Sequence, residues 1–293
     1  GIAYNAEHMV NIKWSNKSNA QSAMQAYIRN IMMLIRNKVI ANNGNLVRTK
    51  ITWFYPNSMS PKRLSQLRMA WNDSYIELFN HDGATKDLSE SVAPIQFYFR
   101  RYATATNLVI VDIGGGTTDI AVVEDGGVEG TKMFSIGGRS FTHQIAERLG
   151  LDFEAAEKLK LLSDSPNMKP ELRRKFDKAV ERNIEVWQSG VELAIEDFES
   201  ENLPGQIMLC GGGASLSAIS ETLATGDWYK GLPFARRPIV SLIDPEDVPD
   251  MVNDTDRELD HTFITAMGLL RVGIDTLLGT GDDKSIKAKL ARL

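Results

Sequence analysis

In the stretch Val111-Asp112-Ile113-Gly114-Gly115-Gly116-Thr117-Thr118-Asp119, two carboxylates bracket three glycines and two hydroxyls. Glycine has no Cβ, so a turn built from it lets successive backbone N–H groups close on an anion, and such a run of N–H groups forms a phosphate-sized nest. Carboxylates on either side are hard oxygen donors of the kind that suit Mg²⁺, usually through retained waters, and the Thr117 hydroxyl supplies a donor for a terminal phosphate oxygen. This is chemistry for a metal-bound phosphate. Asp112 would hold the metal's hydration shell, Gly114, Gly115, Gly116, Thr117 and Thr118 would surround the phosphate, and Asp119 would assist. The alternative is a plain β-hairpin with a glycine loop.

What flanks the turn narrows its type. A dinucleotide-binding turn or a P-loop runs from its glycines into a helix, and a P-loop also carries Gly-Lys-Ser/Thr. Here the turn runs into a second apolar strand, Ile120 to Val123, and no such lysine follows. Both of those nucleotide folds are disfavoured. A further glycine turn, Gly211-Gly212-Gly213, lies about a hundred residues on, between the strand Gln206 to Cys210 and a helix from Ser215 to Leu223.

The first segment resembles the second phosphate motif of the actin-like ATPase superfamily, which includes actin, sugar kinases, DnaK-type chaperones and the FtsA, PilM and ParM groups. Ile207-Met208-Leu209-Cys210-Gly211-Gly212-Gly213-Ala214-Ser215 resembles that superfamily's adenosine motif, whose bare backbone lies against the nucleoside. Ser89-Glu90-Ser91-Val92-Ala93-Pro94 is similar to the start of the first connecting helix, and the resemblance implies that Glu90 positions the attacking water or the Mg²⁺ hydration shell. Ala156-Glu157-Lys158-Leu159-Lys160 resembles the helix lining the adenosine pocket, with Glu157 meeting the ribose and Lys160 the base or phosphates; an ordinary solvated helix face with paired charges is the alternative. Gly137, Gly138 and Ala214 join the implied nucleotide-binding set. Ala266-Met267-Gly268-Leu269 resembles the second connecting helix.

The resemblance implies an α/β protein of two ribonuclease-H-like domains around a nucleotide cleft. The superfamily's first phosphate motif, an Asp-rich hairpin, is not found, so the first domain is expected to be incomplete, with the missing piece before Gly1. The expected domains are 1–105 together with about 260–293, and 106–259. The implied activity is Mg²⁺-dependent binding and slow hydrolysis of ATP to ADP as a conformational switch, with Asp112, Glu90 and Asp119 at the reaction. The alternatives are a non-enzymatic, nucleotide-regulated scaffold of the FtsA, ParM or PilM kind, with protein partners or self-assembly, and a small-molecule kinase on the same fold.

Other elements must carry these turns. Met24, Ile28, Ile31, Ile35 and Val39 form an apolar stripe on a helix from Ala23 to Ile40, Ile51 to Tyr55 reads as a buried strand, and Ser60-Pro61 opens a second helix. A helix is expected from Ser89 to Arg101. Strands Leu108 to Ile113, Asp119 to Val123 and Val128 to Phe134 imply an antiparallel meander, with Asp125-Gly126-Gly127 as a hairpin turn. Helices follow over Ser140 to Leu149 and Asp152 to Leu162. Phe176, Val180, Ile184, Trp187, Val191, Ile195 and Phe198 mark a long core helix, and Phe263 to Leu278 is the last strong one.

Composition sets limits. With 43% hydrophobic and 24% charged residues, the chain is neither disordered nor fibrous. Its longest apolar runs fall far short of the roughly 18 residues that span a bilayer. Through Ala105 there are 13 Lys and Arg against 6 Asp and Glu, and beyond it 20 against 32. The basic residues are scattered, so nucleic acid is not an expected partner. The lone Cys210 excludes an internal disulfide and suits a cytoplasmic setting. His8, His81, His143 and His261 lack metal-site spacing, and the acidic tract Asp244 to Asp260 lacks a Ca²⁺-loop pattern. Lys284 to Leu293 places Ile286, Leu290 and Leu293 on one side with four cations around them, a short candidate for peripheral membrane contact.

Overall fold

The computed structural model describes residues 18–56, 59–79, 85–90, 107–125, 127–245 and 258–278. The chain divides into two compact units, Gly1–Ser89 and Glu90–Leu293. The division falls earlier than the expected boundary near Ala105. Most of the helix expected from Ser89 to Arg101 lies outside the described residues, and Ser89 itself ends a strand.

In the first unit, helix α1 (Ser18–Ala41) buries Met24, Ile28 and Met32, with Ile35 half-buried against them. The spacing of four centres the stripe on Met32, leaving Ile31 at its margin. Strand β1 (Thr52–Tyr55) leads to α2 (Pro61–Phe79), whose first turn is capped by Ser60 Oγ accepting from Arg63 N at 3.3 Å. Strand β2 (Lys86–Ser89) then returns parallel to β1. It carries one buried apolar residue, Leu88, so it left no period-2 signal in the sequence. Trp53 anchors this unit: its ring stacks on Trp71, centroids 5.4 Å apart, and its Nε1 donates to Thr85 Oγ1 at 2.9 Å.

The second unit is built on a five-stranded sheet in the order β5-β4-β3-β6-β7. β3 (Leu108–Ile113), β4 (Thr118–Glu124) and β5 (Gly127–Phe134) form the antiparallel meander, and β6 (Gln206–Cys210) and β7 (Ile239–Leu242) add parallel to β3. This is the ribonuclease-H-like topology. All six residues of β3 are buried, because both faces of the sheet are covered. Val109, Val111 and Ile113 share one core with α3 (Gly138–Leu149), α4 (Phe153–Leu161), α5 (Pro170–Glu196) and α6 (Ser217–Thr225). Leu108 and Ile110 point the other way, into a core with Met208, Cys210 and, from α7 (Ile264–Leu278), Ile264 and Met267. The helix expected to rejoin the first domain thus packs on the sheet of the second unit. β7, a half-exposed edge strand, also escaped the sequence reading.

The α5 stripe seats Trp187 at the centre of the first of these cores with no exposed surface. Its Nε1 donates to Thr118 Oγ1 at 2.9 Å, and that hydroxyl donates to the Ile136 carbonyl at 2.7 Å. Thr118→Val strands both groups in an apolar core and is expected to cost roughly 2–4 kcal/mol in urea denaturation. Trp187→Phe removes one of the stranded groups, so the double variant is expected to lose less than the sum of the two single losses, by about 1 kcal/mol.

Candidate functional site

The site begins at the ends of β3 and β4. Asp112 and Asp119 are directly opposed in the antiparallel register, and Cys210 of β6 lies beside Asp112 on its other flank. The strict alternation of side chains sends both carboxylates to the face covered by α7. Both are nearly sealed, at 6% and 3% exposure. Thr265 of α7 donates its hydroxyl to Asp112 Oδ2 at 2.6 Å, and Thr117 donates to Asp119 Oδ2 at 3.2 Å.

Between the strands the chain turns through Gly114–Thr117, closed by Gly114 N donating to Thr117 O at 2.9 Å. None of these glycines has a positive φ, and a Cβ added at Gly116 would meet nothing. Conformation therefore does not demand glycine at the tip. What glycine provides there is bare, exposed backbone. The start of α3 packs under the turn, with Gly138 N donating to Gly114 O at 2.9 Å and Arg139 N to Gly115 O at 2.8 Å. A Cβ on Gly137 would fall 2.5 Å from Gly114 O.

The second glycine turn meets the first. Gly211 holds φ +85°, and a Cβ there would collide with Asp112 Oδ1. A Cβ on Gly213 would collide with Ile113, and one on Gly138 would lie 3.5 Å from both Gly213 Cα and Lys160 Nζ. Lys160 is the hub of the adjoining polar cluster, donating to Gly138 O at 3.0 Å, Thr142 Oγ1 at 2.8 Å and Glu157 Oε2 at 2.8 Å. Thr142 also donates to Glu157. Burial pushes the Glu157 carboxyl up, but the hydrogen bonds from Lys160 and Thr142 and the charges of Lys160 and Arg139 outweigh it, holding it below its ordinary value.

The structure thus brings Asp112, Asp119, Gly114, Gly115, Gly116, Thr117, Gly137, Gly138, Gly211, Gly213, Glu157 and Lys160 into one neighbourhood, with Gly212 on an open tip and Ala214 buried behind it. Glu90 is near enough to add its charge to the forces on Asp112. Thr118 is set apart: its hydroxyl faces the opposite core, committed to Ile136 and Trp187. Sequence reasoning missed Thr265, Arg139 and His261. His261 clasps the second turn, accepting from Gly211 N at 3.2 Å through its carbonyl and meeting Ser215 Oγ with Nε2 at 3.1 Å. Arg139 follows Gly138 and Thr265 precedes the Ala266-Met267-Gly268-Leu269 segment, so two of the three stood beside a recognised motif. Among the described residues no three His, Cys, Asp or Glu side chains converge as a metal cage.

The family described as "Cell division protein FtsA" matches residues 109–264, just over half of the chain, including both carboxylates and both glycine turns but not Glu90 or Thr265. The chain belongs to the FtsA family. With it comes membership of the actin-like ATPase superfamily. FtsA of Enterococcus hirae is 28% identical over 131 residues, covering 38% of this chain and 29% of that protein. FtsA of Neisseria meningitidis serogroup B is 40% identical over 52 residues, 18% of this chain and 13% of that protein. The match to these FtsA proteins spans less than a third of their length. Among solved structures, the PilM-PilN type IV pilus biogenesis complex shares the fold, with a TM-score of 0.50 and 18% identity over 71% of this chain and 58% of that one.

Burial raises the Asp112 carboxyl to about 6, against the opposing hydrogen bond from Thr265 and with the help of Glu90's charge. The sign follows: between about pH 4 and 6 the folded chain retains a proton that the unfolded chain has released, so stability falls as pH rises through that window. The full loss, about 3 kcal/mol, persists above it. Asp112→Asn keeps an acceptor for Thr265 and removes the buried charge. Without nucleotide it is expected to be more stable than the wild type by about 2–3 kcal/mol at pH 7.5 and nearly equal to it at pH 4, as measured by chemical denaturation.

Proposed function

We propose that this chain is the nucleotide-binding portion of an FtsA-type cell-division scaffold whose assembly state is set by Mg²⁺-ATP and reset by slow hydrolysis to ADP. The observation that carries the reading is the convergence of two glycine turns on a pair of sealed carboxylates. Backbone at Gly114–Thr117 takes the phosphates, and the start of α3 at Gly137 and Gly138 supports it. Gly211–Ala214, with Glu157 and Lys160, takes the nucleoside end. The donor set fits Mg²⁺: hard carboxylates too few to cage a metal alone suit a cation whose other ligands are phosphate oxygens and waters. Asp112 and Asp119 would hold it, and when bound it neutralises charge on the transferring phosphoryl group. Glu90, beside Asp112, orients the attacking water.

Switching follows from the site's design, because the group lost on hydrolysis is the one the first turn holds. Membership of the FtsA family supports assembly as the output and gives no support to a small-molecule kinase. Protein partners or self-association are therefore the expected consequence of nucleotide binding. No helix among the described residues is long and apolar enough to cross a membrane, and the C-terminal segment Lys284 to Leu293, the candidate for peripheral contact, lies outside the described residues.

Calorimetry of Mg²⁺-ATP on the chain and on Asp112→Asn tests the reading. The wild type is expected to bind, and the variant, though more stable, to bind about tenfold or more weakly. A wild-type chain that binds no nucleotide overturns the proposal. ATP-stimulated light scattering that rises with protein concentration separates the scaffold from a monomeric ATPase, which would turn over ATP without it.

A further inference from the structure

We propose that Thr265 is a positioning residue for the cation: its hydroxyl fixes one oxygen of Asp112, so that the other is presented in a set direction to the metal of the bound nucleotide. The inference rests on the nucleotide reading above and deepens it, by assigning a part of the site to the last helix. Thr265 is 153 residues from Asp112 in sequence and donates to its Oδ2 at 2.6 Å. A hydroxyl bonded to a carboxylate at that distance makes a charge-assisted bond about twice as strong as a neutral one. A helical Thr commonly returns its hydroxyl to a carbonyl three or four residues back. Here the donor leaves the helix for the sheet.

Both ends of this bond are held. Asp112 is nearly sealed at the end of β3, and its Oδ1 lies against Gly211, where a side chain would collide with it. Ile264 and Met267 lock the helix around Thr265 into the core that also contains Cys210. His261, one turn earlier, is bonded to the second glycine turn through its carbonyl and its ring. The Thr265 hydroxyl therefore cannot drift, and through it neither can the carboxylate. Mg²⁺ demands near-ideal octahedral geometry, so a freely rotating carboxylate serves it poorly. Groups that orient a metal-binding carboxylate commonly matter 10–100-fold in metal affinity.

The test is a Mg²⁺ titration at fixed ATP, with bound nucleotide read by displacement of a fluorescent analogue, on the wild-type chain, Thr265→Val and Thr265→Ser. Thr265→Val is isosteric and lacks the donor, and it is expected to need about tenfold more Mg²⁺ for half-maximal binding. Thr265→Ser keeps the donor and is expected to stay within about twofold of wild type. In an Asp112→Asn background, Thr265→Val is expected to add no further loss. The inference is overturned if Thr265→Val, with an unchanged melting midpoint, titrates like wild type. It is equally overturned if Thr265→Ser is as weak as Thr265→Val, since packing of the methyl group would then be the cause. A wild-type chain that shows no Mg²⁺-dependent binding overturns the nucleotide reading itself and this inference with it.

Discussion

Everything at the site hangs on one strand with two kinds of neighbour. β3 pairs antiparallel with β4 on one side and parallel with β6 on the other. The antiparallel partner must be reached by a tight turn, whereas the parallel partner can be reached only by a long crossover, which here contains α3, α4 and α5. The chain therefore leaves the same edge of the sheet twice, once after Ile113 into Gly114 and once after Cys210 into Gly211. Two glycine turns that are about a hundred residues apart in sequence end up touching, with Gly138 between them. The crevice at the carboxyl ends of strands is where open α/β sheets bind ligands, and both glycine turns lie at that end of this sheet.

The cost of the arrangement falls on Asp112. A carboxylate at 6% exposure, with another acid's charge nearby and one hydroxyl for support, is unfavourable in the ligand-free chain. An apolar or amide residue would fold better there. Functional sites commonly carry such locally destabilising groups while the rest of the structure compensates. In this unit the compensation is visible: β3 is buried on both faces, α5 brings six large apolar side chains to one core, and the buried Trp187 has a partner for its N–H. The same logic extends to the clasp made by His261 and by Thr265 of α7, which joins a glycine turn and a carboxylate to a segment that follows both in sequence.

Lys160 shows a second way in which the unit organises polar groups. Nearly buried, it satisfies its three donors with a carbonyl, a hydroxyl and a carboxylate, all drawn from α3 and α4. The charge is thereby paired, and the two helices are pinned beside the place where Gly138 meets Gly213. A solvated i,i+3 pair on a helix face would have been worth little. Here the pair sits where helix packing and site geometry coincide.

The sequence alone determined the meander, the long core helix and the two glycine turns, because strands buried on both faces and a helix stripe at spacings of three and four are local, periodic signals. It also singled out Asp112, Asp119, Glu157 and Lys160, because their residue types stand beside glycines or within a recognisable helix segment. It missed β2 and β7, whose short, half-exposed runs carry no period. It grouped Thr118 with Thr117, although neighbouring residues on a strand point to opposite faces, and only the sheet reveals which face carries the carboxylates. It assigned the last helix to the first domain, and the tertiary structure seated that helix on the second unit's sheet through Ile264 and Met267. Tertiary structure alone brought Thr265 to Asp112 and His261 to the second glycine turn, because contacts across about 50 to 153 residues leave no trace in local spacing.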